Sequence, residues 1–389
     1  MTAGAGGTGS GTPGGPGTPG ASGTSAASAA SAASAASVIS GTGYASCHHG
    51  EILQGVFLDG RGRRCAALVT LPLTGLGTRA EAVLRPGTPP GSHSVDPPDR
   101  TKALRAATLA LRECRARRPQ VAFGGVELRL SGDVPLGLGM GSSSSDVIAA
   151  VRAVADACGL RLPSRTVARI AVRAERASDP LMLDGRPLLF AQREGRVLEV
   201  LGDALPPAVV VGCALGAGRP VDTLSLPAPA CGDDDVRAYE RLRSLLRRAV
   251  AEGDTRLLGH VSTESARRAQ RVLRHPEFDR LTRVAERTGA VGVQIAHSGS
   301  VAGLLFDPAA TDLAARLRRC AAALDRDGIP VTRTFTTRTP TESTEPRTPR
   351  TPFTSFTTSE ESRHGRAHRR RDRTARPDTP GRKAHLSAL

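Results

Sequence analysis

The sequence predicts a protein of mixed strands and helices, and a glycine-rich bend between a strand and a helix is its central feature. Val126 to Leu130 alternates like a strand and runs into a bend with several glycines, followed by four serines. Apolar residues then recur at helical spacing from Val147 to Cys158. This order lets the backbone fold around an anion and points helix N–H groups at it. The sequence therefore predicts a phosphate site at residues 132–146.

Two low-complexity ends flank the ordered part of the chain. The protein has 389 residues and a formal net charge of +16, of which +6 lies in residues 336–389. Residues 1–42 carry no charged side chain and consist almost entirely of small residues and proline. Neither end has the apolar content needed to offset the entropy of ordering it. We therefore expect a disordered leader at 1–42 and a disordered basic Thr/Pro/Arg tail at 336–389.

Composition disfavours several classes of protein. The absence of Trp and the presence of only 2 Tyr argue against an aromatic platform for nucleic-acid bases, although the basic tail could make weak, salt-dependent contacts. The 7 Cys are scattered without a C-x-x-C, as in a reduced compartment. No apolar run approaches the length of a membrane span, and the N-terminus lacks a secretory pattern. We expect a cytoplasmic protein with no membrane partner.

The remaining elements follow from periodicity and turn residues. Residues 44–57 are expected to be turn-rich, and residues 86–99 to form a loop. Strands are predicted at 65–71, 125–131, 188–190, 197–200 and 208–213, and at both sides of the glycine turn at 296–300. Helices are predicted at 100–116, 164–177, 235–252, 254–270, 278–288 and 312–324.

Polar residues near these helix ends leave alternatives open. Ser143 and Asp146 have the spacing of a variant capping box. Glu175 and Asp179 are spaced for one helical face, but Pro180 indicates that the helix ends before Asp179. Without the serine loop upstream, a solvated helix end would be the simpler interpretation of these acids.

The cluster Cys47-His48-His49 could suggest a metal site. Adjacent ligands point in different directions, however, and no second Cys/His pair lies at zinc spacing. A strand or turn with a hydrogen-bonded histidine is therefore the favoured interpretation.

Three glycine-loop chemistries compete for the predicted phosphate site. A Walker A loop requires Lys after the last glycine, and Ser142 follows Gly141 instead. A dinucleotide fingerprint requires a different glycine spacing from that of Gly137, Gly139 and Gly141. The third pattern is Pro-x-x-x-Gly-[Leu/Met]-Gly-Ser-Ser, in which backbone amides and serine hydroxyls wrap a nucleotide triphosphate, and it matches Pro135 to Ser143.

Three segments of the sequence resemble the GHMP kinases, the family of galactokinase, homoserine kinase and mevalonate kinase. They follow one another along the chain in the same order as in that family. The loop at 135–143 resembles their ATP loop, and Gln294 to Gly303 resembles their C-terminal glycine motif. Ser46 to Gly55 is most similar to the L-threonine kinase branch, as are Gly139 to Asp146 and the Val-Asp-Thr at 221–223. The resemblance covers roughly Gly43 to Phe335.

The resemblance implies an α+β fold of two domains. The N-terminal domain, at 43–200, would be similar to domain 2 of ribosomal protein S5, and the C-terminal domain, at 201–335, would be ferredoxin-like. ATP would lie in the cleft between them.

The resemblance also implies roles for individual residues. Asp179 would be the catalytic base or orienting group, and Ser143 with Glu175 would hold Mg²⁺, a hard ion that prefers oxygen ligands. The candidate ATP-binding residues are Pro135, Gly137, Gly139, Met140, Gly141, Ser142, Ser143 and Ser144. The candidate acceptor-binding residues are Glu51, Gln54, His297, Ser298 and Gly299, with Glu51 able to meet an ammonium group. His297 could equally have a structural hydrogen-bonding role.

The expected activity is transfer of the ATP γ-phosphate to a hydroxyl of a small metabolite, with L-threonine or a similar hydroxy amino acid as the best candidate. Three departures from the branch bear on this substrate: Leu138 replaces a frequent Lys, Glu175 and Asp179 are one residue further apart, and His48-His49 replaces small residues. The alternatives are a degenerate binding or regulatory protein with a basic tail and a decarboxylase-like relative. A homodimer is left open.

Overall fold

A large sheet covered by helices forms the described part of the chain. The computed structural model describes residues 39–119, 124–134, 139–183, 185–216 and 231–337, which belong to one compact unit. The strands are β1 Ile39–Leu58, β2 Arg64–Arg85, β3 Ser94–Asp96, β4 Gly125–Gly132, β5 Leu188–Ala191, β6 Arg196–Val200, β7 Val209–Ala214, β8 Gly292–Ile295, β9 Val301–Phe306 and β10 Val331–Thr336. The helices are α1 Thr101–Arg117, α2 Ser142–Ala157, α3 Ser164–Glu175, α4 Asp233–Glu252, α5 Thr255–Ala269, α6 Phe278–Thr288 and α7 Leu313–Arg326.

The long strand β1 joins the two halves of the sheet. The strand order is β10-β7-β9-β8-β1-β2-β4-β3, with β5 paired to β2 and β6 paired to β5. β1 runs antiparallel to β2 along most of its length, and pairing of Glu51 with Ile295 connects it to β8. Its register against β2 shifts at three points between Ser46 and Leu53. The sheet is therefore irregular where the two halves meet.

Three apolar clusters hold the helices on this sheet. The first packs α1, α2 and α3 against β2 and β4, and the second packs α6 and α7 against β7, β8 and β9. The third lies under α4 and α5, against the C-terminal part of β1 and the N-terminal part of β2. Burial of such apolar faces is the main source of stability in the structure. Among the described residues, no helix has the length and apolarity required to traverse a bilayer.

Glycines on β1 allow it to lie directly against α2. A Cβ atom on Gly43 would overlap main-chain atoms of Ala149 and Ala153, and one on Gly41 would overlap those of Ala157. Ser145 Oγ also donates to the Ala45 carbonyl oxygen across this contact, at 2.8 Å. Only glycine permits such a close approach between a strand and a helix backbone.

The structure corrects three local predictions. The segment 44–57 is part of a strand rather than turn-rich, because β1 continues through it by means of bulges. The predicted capping box is wrong: α2 is preceded by Gly141 in the left-handed conformation, and Asp146 accepts a hydrogen bond from Thr78 Oγ1 instead. The loop at 86–99 contains the short strand β3.

The other predicted helices and strands are present, with ends that shift by a few residues. α3 ends at Glu175, as Pro180 indicated, and Arg176 takes a left-handed conformation there. β1 begins at Ile39 and β10 ends at Thr336, so almost all of the predicted leader and tail lies outside the described residues. The domain limits 43–200 and 201–335 stay predictions.

The close packing of β1 on α2 predicts that Gly43→Ala destabilises the protein. The added methyl group would force the strand and helix apart, at a cost of about 1–3 kcal/mol in the free energy of unfolding. Denaturant unfolding followed by circular dichroism measures this cost. Gly60→Ala is the matched control, because a Cβ there meets nothing within 4 Å. An equal loss of stability in both variants would contradict the packing argument.

Candidate active site

Two glycine turns meet at the N-terminus of α2. Gly139 and Gly141 have φ of 68° and 71°, and a Cβ on Gly139 would overlap the Ser298 side chain of the C-terminal glycine turn. A Cβ on Gly141 would overlap the His48 ring on β1. The backbone N–H of His48 also donates to the Met140 carbonyl oxygen at 3.1 Å. The N-terminal motif, the serine loop and the C-terminal turn thus converge on one point.

The first turn of α2 holds a buried carboxylate. Ser143 Oγ donates to one oxygen of Glu175 at 2.7 Å, and Ser144 Oγ donates to the other at 2.9 Å. Burial raises the pKa of Glu175 to about 7, although the Ser143 hydrogen bond opposes that rise. The Ser143 hydroxyl and the Glu175 carboxylate are neighbouring hard oxygen donors, and they lie beside a helix N-terminus suited to phosphate. This donor set fits Mg²⁺.

Asp179 lies next to this pair and forms an ion pair with His48. Its N–H donates to Ser144 Oγ at 3.1 Å, and its carboxylate lies 3.0 Å from His48 Nε2. Burial alone would raise the pKa of Asp179, but the charge of His48 and the hydrogen bond with it outweigh that effect and lower it. Burial likewise disfavours the charged form of His48, yet Asp179 raises the pKa of the imidazole to about 9. Each group of the pair therefore favours the charged form of the other.

Glu51 and Gln54 connect β1 to the C-terminal glycine turn. The Glu51 carboxylate accepts a hydrogen bond from the backbone N–H of His297 at 2.6 Å. Gln54 Oε1 lies 2.8 Å from the ring nitrogen Nδ1 of His297. Burial raises the pKa of Glu51 to about 7, against the lowering effect of His48. These contacts fix the turn, and they occupy one Glu51 oxygen.

A cleft of about 620 Å³ runs along these groups. It extends from the start of α1 across the N-terminus of α2 to Asp179, Glu51 and His297. The carboxylates of Glu51 and Asp179 come close enough to His48 to form a possible metal-ligand group, but a protonated His48 cannot coordinate a metal. The Ser143 hydroxyl and the Glu175 carboxylate are the better match to a cation.

Family models match both halves of this arrangement. The model described as the GHMP kinases N terminal domain matches residues 102–182, and the GHMP kinases C terminal model matches residues 246–323. This chain therefore matches both domains of the GHMP kinases. The predicted two-domain GHMP kinase fold is confirmed, as is the predicted resemblance to that family.

Two known relatives are kinases whose names give different substrates. An L-threonine kinase of Citrobacter freundii is 27% identical over 47% of this chain and 62% of its own length, and a 4-diphosphocytidyl-2-C-methyl-D-erythritol kinase of Chlorobaculum parvum is 28% identical over 51% and 68%. The chain thus spans less than two thirds of the first of these GHMP relatives.

The crystal structure of a homoserine kinase from Cytophaga hutchinsonii superposes with a TM-score of 0.55 at 17% identity. The superposition covers 77% of this chain and 94% of that one. It supports the fold.

The candidate residues of the GHMP resemblance are distributed unevenly over the cleft. Those that line it are Glu51, Gly139, Gly141, Ser142, Ser143, Ser144, Glu175, Asp179, His297 and Ser298. Met140, Gln54 and Gly299 do not line it, and Met140 is buried in a small apolar cluster with Cys47 and Leu73. Pro135 and Gly137 lie outside the described residues. All of these roles stay predictions.

Sequence reasoning missed His48 as a site residue. The only signal was a titratable side chain three positions before Glu51, inside the segment resembling the L-threonine kinase branch. In a regular strand, residues 48 and 51 would face opposite sides of the sheet. The register shift between them in β1 brings His48 towards Asp179 while Glu51 reaches the C-terminal turn.

The ion pair predicts that the His48 imidazole titrates near pH 9, well above the ordinary value of 6.5. In Asp179→Asn, only Glu51 and the Gly50 main chain would still oppose the effect of burial, so the His48 pKa should fall from its raised value. The stabilisation from this pair is present below pH 6.5 and is lost as pH rises through 9. NMR of ¹³C-labelled histidine measures both pKa values, with His48→Gln identifying the resonance.

Nδ1 of His48 lies 2.9 Å from the Gly50 nitrogen and 3.2 Å from its carbonyl oxygen. If Nδ1 accepts from that N–H, the ring is neutral and carries its proton on Nε2. A wild-type His48 pKa below 6.5 would show this state and contradict the ion pair.

Proposed function

We propose that this protein is an ATP-dependent small-molecule kinase that phosphorylates a hydroxyl group, with L-threonine or a similar hydroxy amino acid as the acceptor. The observation that carries the proposal is the convergence of Ser143, Ser144, Glu175 and Asp179 at the N-terminus of α2 within one cleft. Kinase names recur among its relatives. The threonine acceptor rests on 27% identity and on the motif at 46–55.

The start of α2 supplies the triphosphate site in this proposal. The backbone N–H groups at Ser142 to Ser144 have no partners within the helix, and the helix dipole adds partial positive charge. Ser143 and Glu175 would hold Mg²⁺, which neutralises negative charge on the triphosphate. Glu175 must be ionised for this role, and a nearby cation lowers its raised pKa.

Asp179 orients the acceptor hydroxyl and receives its proton. The acceptor oxygen forms a bond to the γ-phosphorus, the bond from that phosphorus to the bridging oxygen breaks, and its electron pair leaves with ADP. The ion pair with His48 lowers the basicity of Asp179. Phosphoryl transfer passes through a loose transition state that depends mainly on positioning and charge, so a weak base suffices.

The proposed roles predict a ranked loss of activity. Asp179→Asn should lower kcat by about 10²–10⁴-fold, the usual contribution of a positioned base. Glu175→Gln and Ser143→Ala should lower kcat at least as much and should raise the Mg²⁺ concentration needed for half-maximal rate. Steady-state assays of ADP formation with L-threonine, L-serine and L-homoserine measure both quantities.

Glu81→Gln is the matched control, because Glu81 is an exposed carboxylate on β2 outside the cleft. It should leave both quantities unchanged. Full Mg·ATP turnover by Glu175→Gln would refute the assignment of the metal ligands. Binding of ATP by the wild-type protein without phosphate transfer to any acceptor would favour the regulatory alternative.

A further inference from the structure

Two adjacent histidines on β1 point in different directions. His48 contacts Asp179 in the cleft, whereas the His49 ring lies against β7 and β10. A Cβ atom on Gly212 would lie 2.5 Å from His49 Nε2, and the ring centroids of His49 and Phe335 are 5.0 Å apart. The His49 side chain is completely buried there. It has no part in the proposed kinase mechanism.

A glycine within β7 makes room for this ring. Gly212 lies among the buried apolar residues of Val209–Ala214. Glycine weakens the interior of a strand, and at such a position it often marks the close approach of another group. On β8, Gln294 Oε1 lies 3.3 Å from His49 Nδ1 and fixes the rotation of the ring. We call the space bounded by Gly212, Phe335 and Gln294 the His49 socket.

The socket lies beside the least regular part of β1. His48 and Glu51 pair with residues of β2 that are two positions apart. Along β1 they are three positions apart, so β1 has one residue more than β2 in this bulge, which contains His49 and Gly50. A bulge disrupts the ladder locally, and a shift of register by one residue exchanges the two faces of a strand. Such a shift would turn His48 away from Asp179.

We infer that His49 is a positioning residue: its ring, held in the socket, fixes the register of β1 that directs His48 to Asp179. β1 also pairs with β8 at Glu51 and Ile295, just after the bulge. The two attachments together hold the bulge against the strands β7 to β10. The consequence for catalysis rests on the proposed kinase function, in which Asp179 orients the acceptor.

Filling space does not by itself account for an imidazole in the socket. Burial lowers the pKa of His49 to about 4, although the hydrogen bond with Gln294 opposes this effect. Nε2 of the ring makes no hydrogen bond to any described residue. An aliphatic side chain would fill the space without burying that polar atom. It would lack the Nδ1 contact with Gln294, which orients the ring on β8.

Gly212→Ala tests the inference from outside the cleft. The added methyl group would overlap His49 Nε2 and expel the ring from the socket. The His49 pKa should then rise from about 4 towards its ordinary value of 6.5. The His48 pKa should fall from about 9 by about one pH unit or more, because Asp179 is no longer beside it.

NMR of ¹³C-labelled histidine in the full chain measures both pKa values, with His48→Gln and His49→Ala identifying the resonances. In steady-state assays, kcat of Gly212→Ala should fall about tenfold or more, because a misplaced Asp179 orients the acceptor poorly. The KM for ATP should not change, because none of the groups that form the socket lines the cleft.

Val211→Ala is the matched control. Val211 is the preceding residue of β7, and its buried side chain packs in the cluster under α6 and α7. The variant should lose stability through a cavity but keep both pKa values and kcat. His49→Ala reaches the socket without adding atoms and should also lower the His48 pKa. Gly212→Ala should add no further change in the double variant.

An unchanged His48 pKa in Gly212→Ala or His49→Ala would overturn the inference. So would an equal fall in Val211→Ala, which would indicate general loosening of β7, or a His49 pKa that stays near 4 in Gly212→Ala. Failure of the kinase proposal is distinguishable: the wild-type protein would then transfer no phosphate to any acceptor, while the histidine pKa values would still report the position of His48.

Discussion

The close approach of β1 to α2 is the constraint on which the site depends. Gly41 and Gly43 remove the side chains that would hold the strand away from the helix backbone. Ser145 and Thr78 then link α2 to β1 and β2 by hydrogen bonds, with Ser145 Oγ accepting from the Thr78 N–H at 3.0 Å. Further along β1, the His48 ring packs against Gly141 at the start of α2 and lies 3.0 Å from the Asp179 carboxylate.

This approach concentrates three acidic side chains near one helix start, and their environments separate their properties. Asp179 has a cationic partner, and its pKa falls below the ordinary value. Glu175 and Glu51 are more deeply buried, and burial raises the pKa of each to about 7. Two serine hydroxyls satisfy Glu175, and the His297 N–H and the His48 ring lie beside Glu51. Such a divergence of pKa values allows one carboxylate to handle a proton while another attracts a cation.

The sequence was informative wherever local patterns decide structure. Helical spacing after Gly141, the stop at Pro180 and the glycine turn at 296–300 located the elements that carry Ser143, Glu175, Asp179 and Ser298. The conformation at the start of α2 was less predictable, because Ser143 had two uses: it could cap its own helix or donate to a distant group. In the structure, Ser143 donates its hydrogen bond to Glu175, and Gly141 is the residue that precedes the helix.

The contribution of β1 could not be predicted for a related reason. Alternation assigns each residue of a strand to one face, and a bulge reverses that assignment without leaving a mark in composition. The register shifts between Ser46 and Leu53 therefore concealed both the continuity of the strand and the pairing of His48 with Asp179.

The end of the cleft that is proposed to bind the acceptor is built from segments outside the glycine and serine loop before α2. Glu51 lies on β1, His297 lies in the turn between β8 and β9, and Gln192 follows β5. These three side chains lie outside the contacts of Ser143 and Ser144 with Glu175 at the start of α2. The same fold can therefore serve relatives with acceptors as different as threonine and a diphosphocytidyl sugar alcohol. Differences in substrate among such relatives can thus arise from a few side chains at this end of the cleft.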